Sequence, residues 1–141
     1  MDIPVSEFNP INMLKVPEHY TPKAKYPVID MHTHWGPILL GPDYASKYDT
    51  ASRVEQLKKY NIQLTFNPDR LWDESLDKMQ EKLKGHEDFV LTCPSVDYAR
   101  MDDTDFPEYV DRCYKKYKEA GVKAIKLWKD MTLMLKDKNG K

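Results

Sequence analysis

Residues 28–37 read Val-Ile-Asp-Met-His-Thr-His-Trp-Gly-Pro, a short apolar run that leads into two histidines. The apolar run predicts a β-strand, in which side chains at positions i and i+2 face the same way. Asp30, His32 and His34 are therefore expected on one face. Two imidazoles spaced about 7 Å apart along a strand can converge on one metal ion, and imidazole suits zinc and other divalent metals. We predict that His32 and His34 are metal ligands; the alternative is two ordinary histidines in a loop after the strand.

Outside this segment, predicted strands alternate with predicted amphipathic helices. The strands begin near residues 28, 62, 89 and 122, and the helices between them cover 51–60, 72–83 and 105–121. This alternation predicts βαβ units and a parallel sheet. A unit of roughly 30 residues matches a (β/α)₈ barrel, so we predict an α/β fold of βαβαβαβ order, the N-terminal half of a TIM-type barrel. An open doubly wound sheet is the alternative, but the first strand lacks the Gly-rich phosphate loop that usually follows there.

The first 27 residues differ in composition from the rest. They hold five of the ten prolines of the chain, and each proline fixes φ and removes a backbone donor. We therefore predict an extended arm over 1–27, followed by a domain over 28–141 with four strands and three helices. Apolar side chains in the arm, such as Phe8 and Leu14, lead us to expect that it lies on the surface of that domain.

Composition excludes several classes of protein. The 141 residues are 40% hydrophobic and 11% aromatic, which is too apolar for a disordered chain. No apolar run reaches the ~18 residues of a membrane helix, and no signal peptide is visible, so a cytoplasmic location is expected. The net charge of −1 gives no footprint for nucleic acid. The two cysteines, Cys93 and Cys113, form no C-x-x-C pair, which argues against a zinc ribbon.

The segment VIDMHTH resembles the first-strand signature of the amidohydrolase superfamily, an apolar run followed by D-x-H-x-H, and its amidohydrolase 2 group in particular. Two less specific segments, VEQLKKYNIQLTFN and AGVKAIKLWKD, extend the resemblance over about residues 26–141. The resemblance implies a distorted (β/α)₈ barrel with a metal at the C-terminal mouth. It also implies that His32 and His34 are the first two metal ligands, with zinc the expected metal and manganese, iron or nickel the alternatives.

In that family, further histidines follow the fifth and sixth strands, and an aspartate follows the eighth. The resemblance therefore implies the N-terminal half of a metal-dependent hydrolase that attacks a C–N or C–O bond of a small molecule, or of a decarboxylase. The 141 residues alone are then expected to be inactive, with a missing C-terminal half-barrel or a second copy of the chain as partner. The rival interpretation is a non-catalytic half-barrel that binds or assembles, or a truncated inactive product.

Lys126 is the candidate catalytic residue, because AIKL resembles the strand-four segment of family members in which a lysine carries a bridging carbamate. A charged role in the active site and a plain structural role are its alternatives. Other polar or aromatic residues lie at predicted strand ends, where the loops of a barrel line its mouth, and the alternatives for them are loop or packing roles. These candidate substrate contacts are Trp35, Asn67, Asp69, Asp97 and Lys129.

Overall fold

Three parallel strands form the sheet in the computed structural model, which describes residues 4–127, 129, 136, 138 and 140. Strands β1 (Val28–Asp30), β2 (Ile62–Asn67) and β3 (Val90–Thr92) lie in the order β1-β2-β3. Asp30 pairs with Thr65 in β2, and Thr65 pairs with Val90 in β3. The α/β class and the parallel sheet are therefore confirmed, and all three strands end at the same edge.

The helices that connect the strands begin and end close to their predicted bounds. Helix α3 (Thr50–Lys59) joins β1 to β2, α4 (Asp73–Lys82) joins β2 to β3, and α5 (Phe106–Glu119) follows β3. Asp49 caps the start of α3, since its carboxylate accepts the Ser52 N–H at 2.7 Å. Such a cap satisfies one of the backbone donors left free at a helix start.

The segment between Trp35 and α3 contains two single-turn helices, α1 (Pro37–Leu40) and α2 (Tyr44–Lys47). Proline begins α1, where its missing N–H costs nothing. Gly41 ends α1 at φ +80°, a conformation that favours glycine. Helices this short leave no apolar periodicity in the sequence, which explains why the pattern did not predict them.

The core lies where α3, α4 and α5 pack with the sheet. Its buried members come from the strands, the helices and the segments that follow the strands: Trp35, Val54, Leu71, Leu76, Met79, Leu83, Val90, Val96, Tyr109, Cys113 and Tyr117 among them. Two tyrosines of α5 also form hydrogen bonds with neighbouring segments. The Tyr117 hydroxyl donates to the Ser95 carbonyl in the loop after β3 at 2.7 Å, and the Tyr109 hydroxyl donates to Asp73 at the start of α4 at 3.1 Å.

The predicted fourth strand, Val122–Trp128, does not join the sheet over residues 122–127, and Trp128 lies outside the described residues. Side chains in 122–127 alternate between half-buried and exposed, as in an extended chain. The Lys126 N–H donates to the Pro94 carbonyl at 2.8 Å. The segment is thus extended beside the residues that follow β3, but it forms no hydrogen-bonded ladder with that strand.

The arm does not lie on the domain surface, which corrects our expectation. Every residue from 4 to 23 is exposed, and Val5 and Tyr20 each keep 92% of their surface. A short 3-10 turn at Val5–Glu7 is its one described helical element. Ala24 is tied to the domain, because its N–H donates to the Tyr60 carbonyl at 3.4 Å and its own carbonyl accepts from Asn61 at 3.0 Å.

Helices in the described part of the chain are too short or too polar to cross a membrane.

Removal of residues 1–23 tests the exposure of the arm. We expect the shortened chain to bind less apolar dye and to scatter less light at high concentration, because exposed apolar patches promote association. Its thermal midpoint is expected to stay unchanged, since none of the core side chains belongs to the arm. A lowered midpoint would contradict this picture by showing that the arm packs on the domain.

Candidate metal centre

His32 and His34 lie just past the C-terminal end of β1, where the Thr33 N–H still donates to the Phe66 carbonyl at 3.0 Å. The two Nε2 atoms are 3.2 Å apart, and the ring centroids are separated by 5.0 Å. Two nitrogens bound tetrahedrally to zinc at ~2.0–2.1 Å would lie about 3.3 Å apart. The rings therefore converge on one point as the i, i+2 spacing predicts, while metal binding itself stays a prediction.

Asp69 connects His34 to the neighbouring strand. This aspartate follows β2, is completely buried, and places Oδ1 2.9 Å from the Nδ1 atom of His34. The His34 side chain keeps 15% of its surface exposed. One ring nitrogen of His34 is thus held from within the domain, and the other faces His32.

Asn67 holds the two strand ends together. Its side-chain oxygen accepts the Trp35 N–H at 3.2 Å and the Asp69 N–H at 3.3 Å. Two backbone donors fix which end of the amide faces them. Because Asn67 and Asp69 have no exposed surface, they support the histidine segment from inside the domain and do not line an open substrate surface, which corrects the predicted substrate contacts.

Trp35 is also completely buried, so it belongs to the core and not to the wall of a substrate pocket. Its indole N–H donates to the Thr65 hydroxyl at 3.1 Å, and its carbonyl accepts the Tyr48 hydroxyl at 2.6 Å. The guanidinium of Arg53 lies 4.4 Å from the Trp35 ring centroid and donates to the His34 carbonyl at 3.1 Å. Thr65, Tyr48 and Arg53 were missed in the sequence because no local pattern relates them to the histidines.

Asp30 has a local role. Its carboxylate accepts the His32 N–H at 2.9 Å, an Asx-type turn that leads the chain out of β1. The Thr33 side chain, and then the hydrogen bond from the His32 backbone, lower the pKa of Asp30. Asp30 therefore enters the site as a carboxylate that shapes the loop.

The described residues offer two ring nitrogens and no third ligand. Within residues 4–127 and the four described positions beyond them, no group of three or more histidine, cysteine, aspartate or glutamate side chains is placed to hold a metal ion. Catalytic zinc sites use three protein ligands and one open position. The donor type and spacing fit a metal, but the described residues offer only two of the three protein ligands that such a site uses.

The remaining predicted residues lie around the loop after β3 and beyond. Lys126 is half-buried. Burial raises the pKa of the Cys93 thiol, and the positive charge of Lys126 opposes part of that rise. Asp97 accepts the Ala99 N–H at 3.1 Å and caps a 3-10 turn at Tyr98–Arg100. Lys129 is exposed. Asp97 thus has a local structural role, whereas the roles predicted for the two lysines stay predictions.

A cavity of about 300 Å³ lies elsewhere, between α4, the outer edge of β3 and residues 120–123. Leu83, Leu91 and Val122 contribute apolar walls, and Glu87 and Lys123 contribute charges. None of the residues predicted for the site lines this cavity. The cavity lies where residues 122 and 123 pass the edge of β3 without pairing with it.

No protein-family model, no curated protein and no solved structure matches this chain.

Substitution of Gly36 tests how tightly the site is packed. A Cβ atom at this position would overlap the Asp69 carboxylate and the Met79 methyl group. We expect Gly36→Ala to destabilise the fold by roughly 1–3 kcal/mol, the usual cost of overpacking, as measured by urea denaturation. The cost is expected to shrink in an Asp69→Ala background, where the overlapping carboxylate is gone. Equal costs in both backgrounds would show that Gly36 does not pack against Asp69.

Deprotonation of Tyr48 is expected to lower the stability of the fold at alkaline pH. Burial raises the pKa of Tyr48 from 10.0 to about 12, so the folded state favours the protonated phenol. Its contribution to the free energy of unfolding is complete below pH 10 and is lost as the pH rises through about 12. We expect Tyr48→Phe to make the alkaline fall in stability shallower in urea denaturation at successive pH values. Tyr60→Phe, a change at an exposed tyrosine, is the control, and identical slopes for wild type and Tyr48→Phe would contradict the prediction.

Proposed function

We propose that this chain supplies the first two metal ligands, His32 and His34, of a metal-dependent hydrolase of the amidohydrolase type. The observation that carries the proposal is the 3.2 Å approach of the two Nε2 atoms. Two ligands of one metal ion require this convergence of ring nitrogens on a common point. Zinc is the metal we propose, with manganese, iron or nickel as alternatives.

The position of the pair in the fold supports the proposal. The histidines follow β1, and Asp69 follows β2, so both lie at the edge where the parallel strands end. Parallel α/β proteins place their active sites at this edge, since the loops that vary there are carried by a rigid sheet. The parallel βαβ arrangement is compatible with one half of a barrel, and we propose that further strands complete it.

A bound divalent metal supplies an acidified water and polarises the carbonyl of a substrate. Within this chain, His32 and His34 would hold the metal, and the buried Asp69 would keep the His34 ring in place. We propose that the remaining ligands and the group that accepts the proton come from outside the described residues. The substrate is a small molecule with a hydrolysable C–N or C–O bond; decarboxylation is the variant in which the same ion holds a substrate carboxylate.

We also propose an active-site role for Lys126, which lies near the edge where the parallel strands end. Its backbone bonds to Pro94, just past the end of β3, and its side chain is half-buried. A lysine there could carry a bridging carbamate or bind a substrate anion. Lys129 is proposed only as a contact for a substrate anion.

Titration with Co²⁺, followed by nuclear magnetic resonance, tests the metal site in the intact chain. We expect the paramagnetic ion to broaden the ring signals of His32 and His34 before any others. His32→Ala and His34→Ala should each weaken Co²⁺ binding at least tenfold, equivalent to ~1.4 kcal/mol, because each removes one of the two converging nitrogens.

His19→Ala and His86→Ala are the matched controls, since His19 lies on the exposed arm and His86 follows α4. Both should bind Co²⁺ like the wild type. Uniform broadening of all four histidines, or wild-type affinity in His32→Ala, would refute the metal site.

A further inference from the structure

The Asp69 carboxylate is buried without the partners that such a group normally has. Oδ1 lies 2.9 Å from His34 Nδ1, whereas Oδ2 has no hydrogen-bond partner in the described part of the chain. Oδ2 lies so close to Gly36 that a Cβ atom at that position would overlap it. A buried carboxylate with one oxygen left without a hydrogen bond lowers the stability of a fold. Stability therefore does not explain why an aspartate occupies this position.

We infer that Asp69 is a positioning residue that fixes His34 as the Nδ1–H tautomer and so keeps the lone pair of His34 Nε2 directed at the metal site. An ionised carboxylate only accepts hydrogen bonds, so the Nδ1 atom that faces it must carry the proton. A neutral imidazole has one ring proton, and Nε2 is then bare. The importance of this tautomer for metal binding rests on the proposed function, whereas the tautomer itself does not.

The tautomer of His34 determines the tautomer expected for His32. With Nε2 of His34 bare, its 3.2 Å contact with His32 Nε2 is a hydrogen bond only if His32 carries its proton on Nε2 and donates it. The metal-free chain should therefore hold the two histidines in opposite tautomers. To ligate a metal ion through Nε2, His32 would have to exchange through solvent to its own Nδ1–H tautomer, whereas the Asp69–His34 bond would be left unchanged.

The backbone of Asp69 is held as firmly as its side chain. Its N–H donates to the Asn67 oxygen that also accepts from Trp35, so the carboxylate is placed relative to the histidine segment by a shared buried acceptor. Gly36 then limits the carboxylate from the other side. Carboxylates that orient a ligating histidine raise its basicity, and their loss commonly lowers metal affinity 10–100-fold.

The test is a nitrogen–proton correlation spectrum of the metal-free, ¹⁵N-labelled wild-type chain at about pH 8.5, where an ordinary imidazole is neutral. We expect His34 as the Nδ1–H tautomer and His32 as the Nε2–H tautomer. A His34 ring protonated on Nε2 would overturn the inference, and this measurement needs no variant that could fail to fold.

Asp69→Asn supplies the second measurement, because an amide can donate as well as accept and no longer dictates the tautomer. We expect a loss of the pure Nδ1–H form of His34 and a 10–100-fold weaker affinity for Co²⁺. Asp97→Asn is the control, an aspartate after β3 that caps its own turn; it should change neither readout.

An Asp69→Asn variant that keeps the wild-type tautomer overturns the inference. The expected tautomers in a wild-type chain that binds no Co²⁺ would support the inference and refute the proposed function.

Discussion

The parallel pairing of β1 with β2 is the constraint on which the candidate site depends. Its register sets Asp30 beside Thr65, so the residues that follow β1 run past those that follow β2. Trp35 then meets the Thr65 hydroxyl and Asn67, and His34 meets Asp69. In a strand a shift of one residue would turn these side chains to the other face. One register thus places both histidines and the groups that support them.

Support for the histidines is polar and buried, which is costly in a small domain. Asn67 and Asp69 have no exposed surface, and the Arg53 guanidinium lies on the Trp35 ring while it holds the His34 carbonyl. Such groups contribute little net stability, because their hydrogen bonds mainly replace those made with water. They do restrict the backbone between β1 and α1 to one arrangement. That restriction fixes the backbone that carries the two converging ring nitrogens.

The periodic elements were predictable, and the aperiodic ones were not. Helices α3, α4 and α5 carry apolar residues at helical spacing over ten or more positions, and the three strands are runs bounded by turn residues. The short helices α1 and α2 have no such signal. Residues 122–127 have the alternation of a strand, yet a strand also needs a neighbour to pair with along its length. The exposed arm illustrates the same point. Its apolar residues suggested that it would pack on the domain, but the sequence does not show whether the domain offers a surface for it.

For the candidate site, the i, i+2 spacing alone determined that His32 and His34 would share a face, because that periodicity is a property of the extended backbone. The parallel class followed from the alternation of strands and helices. Only the tertiary structure decided that Asp69 holds His34, that Asn67 holds Trp35, and that Trp35 is core. These partners lie more than 30 residues apart in the chain, and no local rule relates them. Their contact is set by strand register and side-chain packing, which exist only once the sheet has formed.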